Sequence, residues 1–133
     1  MENTKEFDWV QARYDCSSQE VFKLLESDAR QSVEKRNALP RENYGFKVIV
    51  SQIGEFSVMR EANRPYASSV TFVLLEDEIV VQDSRSQEVR RARLTLNKDK
   101  KCVLVSNGEE MDRWRFLCKA LEGLFFVVKA ETR

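Results

Sequence analysis

Along residues 17–40, SSQEVFKLLESDARQSVEKRNALP, apolar side chains fall at Val21, Leu24, Leu25, Ala29 and Val33. Steps of three and four residues place side chains on one face of an α-helix. Ser17, with Glu20 three residues later, forms a capping box that starts this helix. Pro40 ends it, because the residue before a proline avoids helical backbone angles. The preceding FDWVQARY reads two ways: Phe7, Trp9 and Gln11 alternate as in a strand, whereas Phe7, Val10 and Tyr14 share a helix face. The alternation favours a strand or extended arm over residues 7–14.

From residue 45 the period changes from helical to two. GFKVIVSQI sets Phe46, Val48 and Val50 against Lys47 and Ser51, and FSVMR follows after the turn at Gly54 and Glu55. SVTFVLL and EIVVQ flank the acidic turn Glu76-Asp77 as a hairpin and are apolar on both faces, which places them centrally in a sheet. RRARLTL and KCVLVS flank NKDK as a second hairpin. There Ala92, Leu94 and Leu96 alternate with Arg91, Arg93 and Thr95, the pattern of a sheet with one wet face. After Asn107 and Gly108, the segment EEMDRWRFLCKALEGLFFVV predicts a long helix. Met111, Trp114, Leu117, Cys118, Leu121, Leu124, Phe125 and Val128 trace its apolar stripe, with Glu109, Glu110 and Asp112 in the first turn, where the helix dipole favours anions.

This order predicts an α+β fold, a single globular domain over residues 1–133. It has an N-terminal helix, about six strands in a curved antiparallel sheet, and a long C-terminal helix covering the sheet. The order resembles that of helix-grip domains of the START kind. The resemblance lies in element order, without a family motif, and the second short helix of those domains is missing. A pleckstrin-homology-like roll closed by a C-terminal helix is the alternative, although it has no need of the long N-terminal helix.

Composition narrows the classes of function. Asp+Glu and Lys+Arg are 22 each, so the chain is not a polycation of the kind that binds nucleic acid nonspecifically. The charge is unevenly spread: residues 85–101 hold seven bases and two acids, net +5, whereas residues 45–84 hold three bases and six acids, net −3. Three widely spaced cysteines, Cys16, Cys102 and Cys118, suggest free core thiols in a reducing compartment, hence a cytoplasmic protein. No window is apolar enough to span a membrane.

The chain has no histidine, which removes the commonest general base and metal ligand and every Cys-His or Ser-His pair. Its four glycines are isolated, so no phosphate-cradling loop exists. The acids sit mostly where turns and helix starts place them, apart from Asp28 near the apolar stripe of the first helix. Cys16, just before a helix start, is the only cysteine with a setting that could activate a thiol. No catalytic residue, metal ligand or cofactor is expected.

The basic hairpin carries no aromatic residue on which a base could stack, since none lies between Phe72 and Trp114. Arg91 and Arg93 therefore read as a solvated face or a site for an acidic protein partner, not for specific nucleic-acid binding. Phe116 and Phe126 fall off the stripe of the last helix and are candidate partner contacts. Phe46, Phe56, Phe72 and Trp114 are candidates to line an apolar cavity beneath that helix. The expected function is thus a non-enzymatic intracellular interaction or regulatory domain that binds a protein partner or itself. The alternative is a carrier or sensor of a hydrophobic small molecule, with no membrane association in either case.

Overall fold

The computed structural model describes residues 8–40, 45–61 and 68–126. Phe7 and Val128, named above, lie outside the described residues. The elements are α1 (Trp9–Asp15), α2 (Ser18–Ala38), β1 (Phe46–Gln52), β2 (Glu55–Arg60), β3 (Ser69–Leu75), β4 (Glu78–Gln82), β5 (Glu88–Leu96), β6 (Cys102–Ser106), β7 (Glu109–Met111) and α3 (Arg113–Phe125). The strands form one antiparallel meander in chain order, so the fold is α+β with one strand more than the six expected.

Alternation along the strands sends one set of side chains to the helices. In register across the sheet these form short rows: Val48, Val58 and Val70; Phe56, Phe72 and Val81; Leu74, Ile79 and Ala92; Leu94, Leu104 and Met111. Rings then join the layers. Phe22 of α2 lies 5.3 Å from Phe56, Phe56 stacks on Phe72 at 4.8 Å, and Phe72 meets Phe116 of α3 at 6.5 Å. Strand β4, fourth of seven, buries Ile79, Val80 and Val81 in succession, as an apolar central strand should. Ser57 and Thr71 share a 2.7 Å hydroxyl–hydroxyl hydrogen bond on the opposite face.

Four expectations need correction. Residues 9–15 are helical: the Asp8 carboxylate accepts from the Gln11 N–H at 3.0 Å, and this cap outweighs a short alternation. Residues 109–111 are a strand, not a helix start. Asn107 and Gly108 both have positive φ, 54° and 77°, the backbone of a type I′ hairpin turn that returns the chain along β6. Asp112 then caps the shorter helix by accepting from the Arg115 N–H at 3.3 Å.

The third correction is the rotation of α3. Phe116 is 0% exposed and Trp114 is 67% exposed, the reverse of the expected placement. At about 100° per residue the apolar side chains of α3 cover an arc about 200° wide, more than one surface can bury. Phe116, Leu117, Leu121 and Leu124 take the core side, and Trp114 and Cys118 are left outward. In α2 Phe22 is buried and Leu24 exposed for the same reason.

The fourth concerns the cysteines. Cys16 and Cys102 form a disulfide, with Cα atoms 5.4 Å apart and a sequence separation of 86, and only Cys118 is free. The bond joins the α1–α2 junction to the start of β6. It also removes Cys16 as a reactive thiol, and free thiols as the ground for expecting a reducing compartment.

Two stability measurements follow from this packing. Phe116→Ala should cost about 3–5 kcal/mol in guanidinium unfolding, as large buried rings do, while Trp114→Ala should stay within about 0.5 kcal/mol. Equal losses would place Trp114 in the core. Reducing the disulfide with a phosphine should lower the unfolding free energy by about 4–5 kcal/mol, the chain entropy released by opening a loop of this length. An unchanged midpoint would show that the bond does not constrain the chain.

Candidate functional site

The two long helices lie side by side on the sheet and run in the same direction. Arg113 at the start of α3 pairs with Asp28 of α2, Nε to Oδ2 at 2.7 Å. Arg36, two turns further along α2, donates from Nε to the Phe125 carbonyl at the end of α3, at 3.0 Å. That bond satisfies a helix-end carbonyl that has no partner within the helix.

Between these two ties runs an open groove of about 490 Å³. Its α2 wall is Asp28, Gln31, Ser32, Lys35, Arg36 and Leu39; its α3 wall is Trp114, Leu117, Cys118, Leu121, Glu122 and Phe125, with Phe126 beyond. Each wall repeats one spacing, three, one, three, one and three residues, which is one continuous stripe of a helix. The α3 wall is mostly apolar and the α2 wall mostly polar. Trp114 stands at one end, and Phe126, 55% exposed, stands at the other with Leu39. The Arg36 guanidinium lies 4.9 Å from the centre of the Phe126 ring and 5.4 Å from that of Phe46, within cation–π range of both. It thereby positions the ring at the groove mouth.

The structure separates the residues named from sequence. Trp114 and Phe126 share the groove. Phe116 does not: it is packed on Phe72. Phe46, Phe56 and Phe72 are core residues in ring contact with Phe125, Phe22 and Phe116 rather than an open lining. Asp28 faces an arginine and ties the helices. Leu39 and the α2 residues Gln31, Ser32, Lys35 and Arg36 join the site without having been expected from sequence, and Cys118, expected on the core stripe, lines the groove instead. Their signal is the matching spacing of the second face of each helix.

Arg91 and Arg93 lie on the sheet face away from the helices. Arg91 binds Glu88 through Nε at 2.9 Å and Nη2 at 2.7 Å, and also bonds Glu78 through Nη1. The hydrogen bond to Glu88, then that to Glu78, raises the Arg91 pKa above its ordinary value. The hydrogen bond from Arg91 holds the Glu88 carboxyl below the usual 4.5, against the opposing effect of desolvation. Arg91 covers Val80, its cross-strand neighbour, which is buried on this face. Its charge is therefore already neutralised by two acids. Arg93 makes no ion pair among the described residues. No group of three or more Asp, Glu, His or Cys residues that could hold a metal occurs among the described residues. No described helix is long and apolar enough to cross a membrane.

The Arg91 cluster sets a pH response with a defined sign. A depressed carboxylate pKa stabilises the fold above the unfolded value, and that contribution fades as pH falls through the folded value. In Arg91→Gln the Glu88 carboxyl should titrate at higher pH than in the wild type, followed by carbon-detected NMR of the side-chain carboxyl. An identical titration would mean that the cluster does not form in solution.

No protein-family model matches the chain, and comparison with curated proteins and with solved structures yields no significant match.

Proposed function

We propose that this chain is a non-enzymatic interaction domain that binds a protein partner through the α2–α3 groove. The carrying observation is Trp114, an indole left two-thirds exposed on an apolar helix wall beside Leu117 and Leu121. Exposed Trp side chains at well-packed surfaces are among the strongest binding anchors. The groove is open, with anchors at both ends, so it suits an extended or helical segment that offers apolar side chains at intervals. Lys35 and Arg36 on the α2 wall favour acidic residues along one side of that segment.

A hydrophobic small molecule is the second reading, because the groove volume falls in the range of ligand sites. The stacked phenylalanines weigh against a cavity beneath α3, so such a ligand would take the same groove. The Arg91 cluster is not proposed as a nucleic-acid site, because its main guanidinium is held by two carboxylates. The disulfide weighs against a cytoplasmic location, since such bonds persist mainly in oxidising compartments.

Cys118, free and exposed within the groove, provides the test. A benzophenone maleimide attached there should photo-crosslink a partner from cell extract. Trp114→Glu should reduce that product at least about tenfold, the effect of losing a modest anchor. Native mass spectrometry of the purified protein should show no retained small molecule. Crosslinking indifferent to Trp114→Glu would refute the groove as the partner site, and a bound apolar molecule lost in that variant would favour the second reading.

A further inference from the structure

The two edges of the sheet differ in kind. The β7 edge has three residues, two of them Glu109 and Glu110, and such short, charged edges resist further pairing. The β1 edge has seven residues and no charge from Val48 to Gly54, with Val50 48% exposed and Ile53 fully exposed at its end.

The direction of the β1 backbone groups follows from three hydrogen bonds. The Gly45 carbonyl accepts from the Glu61 N–H at 2.8 Å, so this residue turns its groups toward β2. The Phe46 N–H and carbonyl instead turn away and pair with the Asn37 side-chain amide, both at 2.9 Å. Successive residues of a strand alternate in this respect. Val48 and Val50 therefore present their N–H and C=O groups to the free edge, and neither finds a partner there among the described residues. Asn37 closes the edge at Phe46, and the register shift between Val50 and Gln52 ends it at the other side.

We propose that this open segment, Lys47–Ser51, pairs with the same segment of a second copy of this chain, antiparallel about a two-fold axis at Ile49. The segment is complementary to itself. In that register Val48 faces Val50 of the second copy and Val50 faces its Val48, so each pair has both sets of outward groups available and exchanges two hydrogen bonds. Ile49 faces its own counterpart at the axis, and Lys47 faces a serine, so no like charges oppose. Any shift by one residue would set outward groups against inward ones. The pairing joins the two sheets into one whose outer edges are both the short acidic β7, so assembly stops at two copies. A contact of five residues a side lies at the small end for interfaces, so monomer and dimer exchange with concentration.

The experiment uses the full chain carrying Cys118→Ser, with the Cys16–Cys102 bond kept. Sedimentation velocity over a micromolar-to-millimolar series should show a rising dimer fraction, and Ile49→Lys, with an unchanged circular dichroism spectrum and melting curve, should remain monomeric. Residues facing each other at the axis have Cα atoms about 4.5 Å apart, within the disulfide range of about 4.4–6.8 Å. Ile49→Cys should therefore crosslink to itself on mild diamide oxidation. Lys47→Cys and Ser51→Cys should crosslink only when the two variants are mixed. A monomer at every concentration, or Ser51→Cys joining itself as readily as Ile49→Cys, would overturn the proposal. So would a dimer that survives Ile49→Lys.

Discussion

The contact chain Phe22–Phe56–Phe72–Phe116 is the constraint from which the architecture follows. A curved sheet with one apolar face has to be covered, and a single thirteen-residue helix is too narrow to cover seven strands. Two helices share the task, and the four rings fix where each one lands. Phe22 anchors α2 over β2, and Phe116 anchors α3 over β3. Once both helices are held at neighbouring strands they lie alongside each other, and the groove between them is a consequence of that spacing.

How much of this was readable in the residues depends on how many surfaces a segment serves. Strands β1, β2, β5 and β6 serve one inner and one outer face and are marked by alternation, whereas β3 and β4 are marked as apolar runs on either side of a turn. The α3 segment serves the core and the groove, and a stripe drawn through its apolar residues cannot tell which part faces which. Trp114 and Phe116 exchange roles for that reason, and only the position of Phe72 across the layer decides between them. The seventh strand was signalled by Asn107-Gly108, a dipeptide suited to a tight hairpin, but the apolar periodicity beyond it masks a strand of three residues. The disulfide had no local signal, because its cysteines are 86 positions apart and meet only through the meander.

The same distinction explains why the basic stretch at residues 85–101 misleads as a charge count. Seven bases and two acids read as a cationic strip. In the folded sheet, Glu78 from the neighbouring strand joins Glu88 around Arg91, which stands opposite the buried Val80. Cross-strand partners are invisible to a window that moves along the chain. A net charge over seventeen residues is therefore a poor guide to the field above a β-sheet, where half of the neighbours come from elsewhere in the sequence.

The last turn of α2 connects the α2–α3 groove with the β1 edge. Arg36 donates to the end of α3 and holds Phe126 at the groove mouth, while the adjacent Asn37 occupies the Phe46 backbone and sets the limit of the open β1 edge. Two consecutive side chains leave a helix about 100° apart, so one reaches the neighbouring helix and the other reaches the strand below. Both side chains are polar and both bind main-chain atoms, so their geometry depends on α2 remaining helical to Ala38. Fraying of this turn would loosen the groove end and uncover one more residue of the sheet edge together. The groove and the edge are separate surfaces, but the helix terminus between them gives them a common structural support.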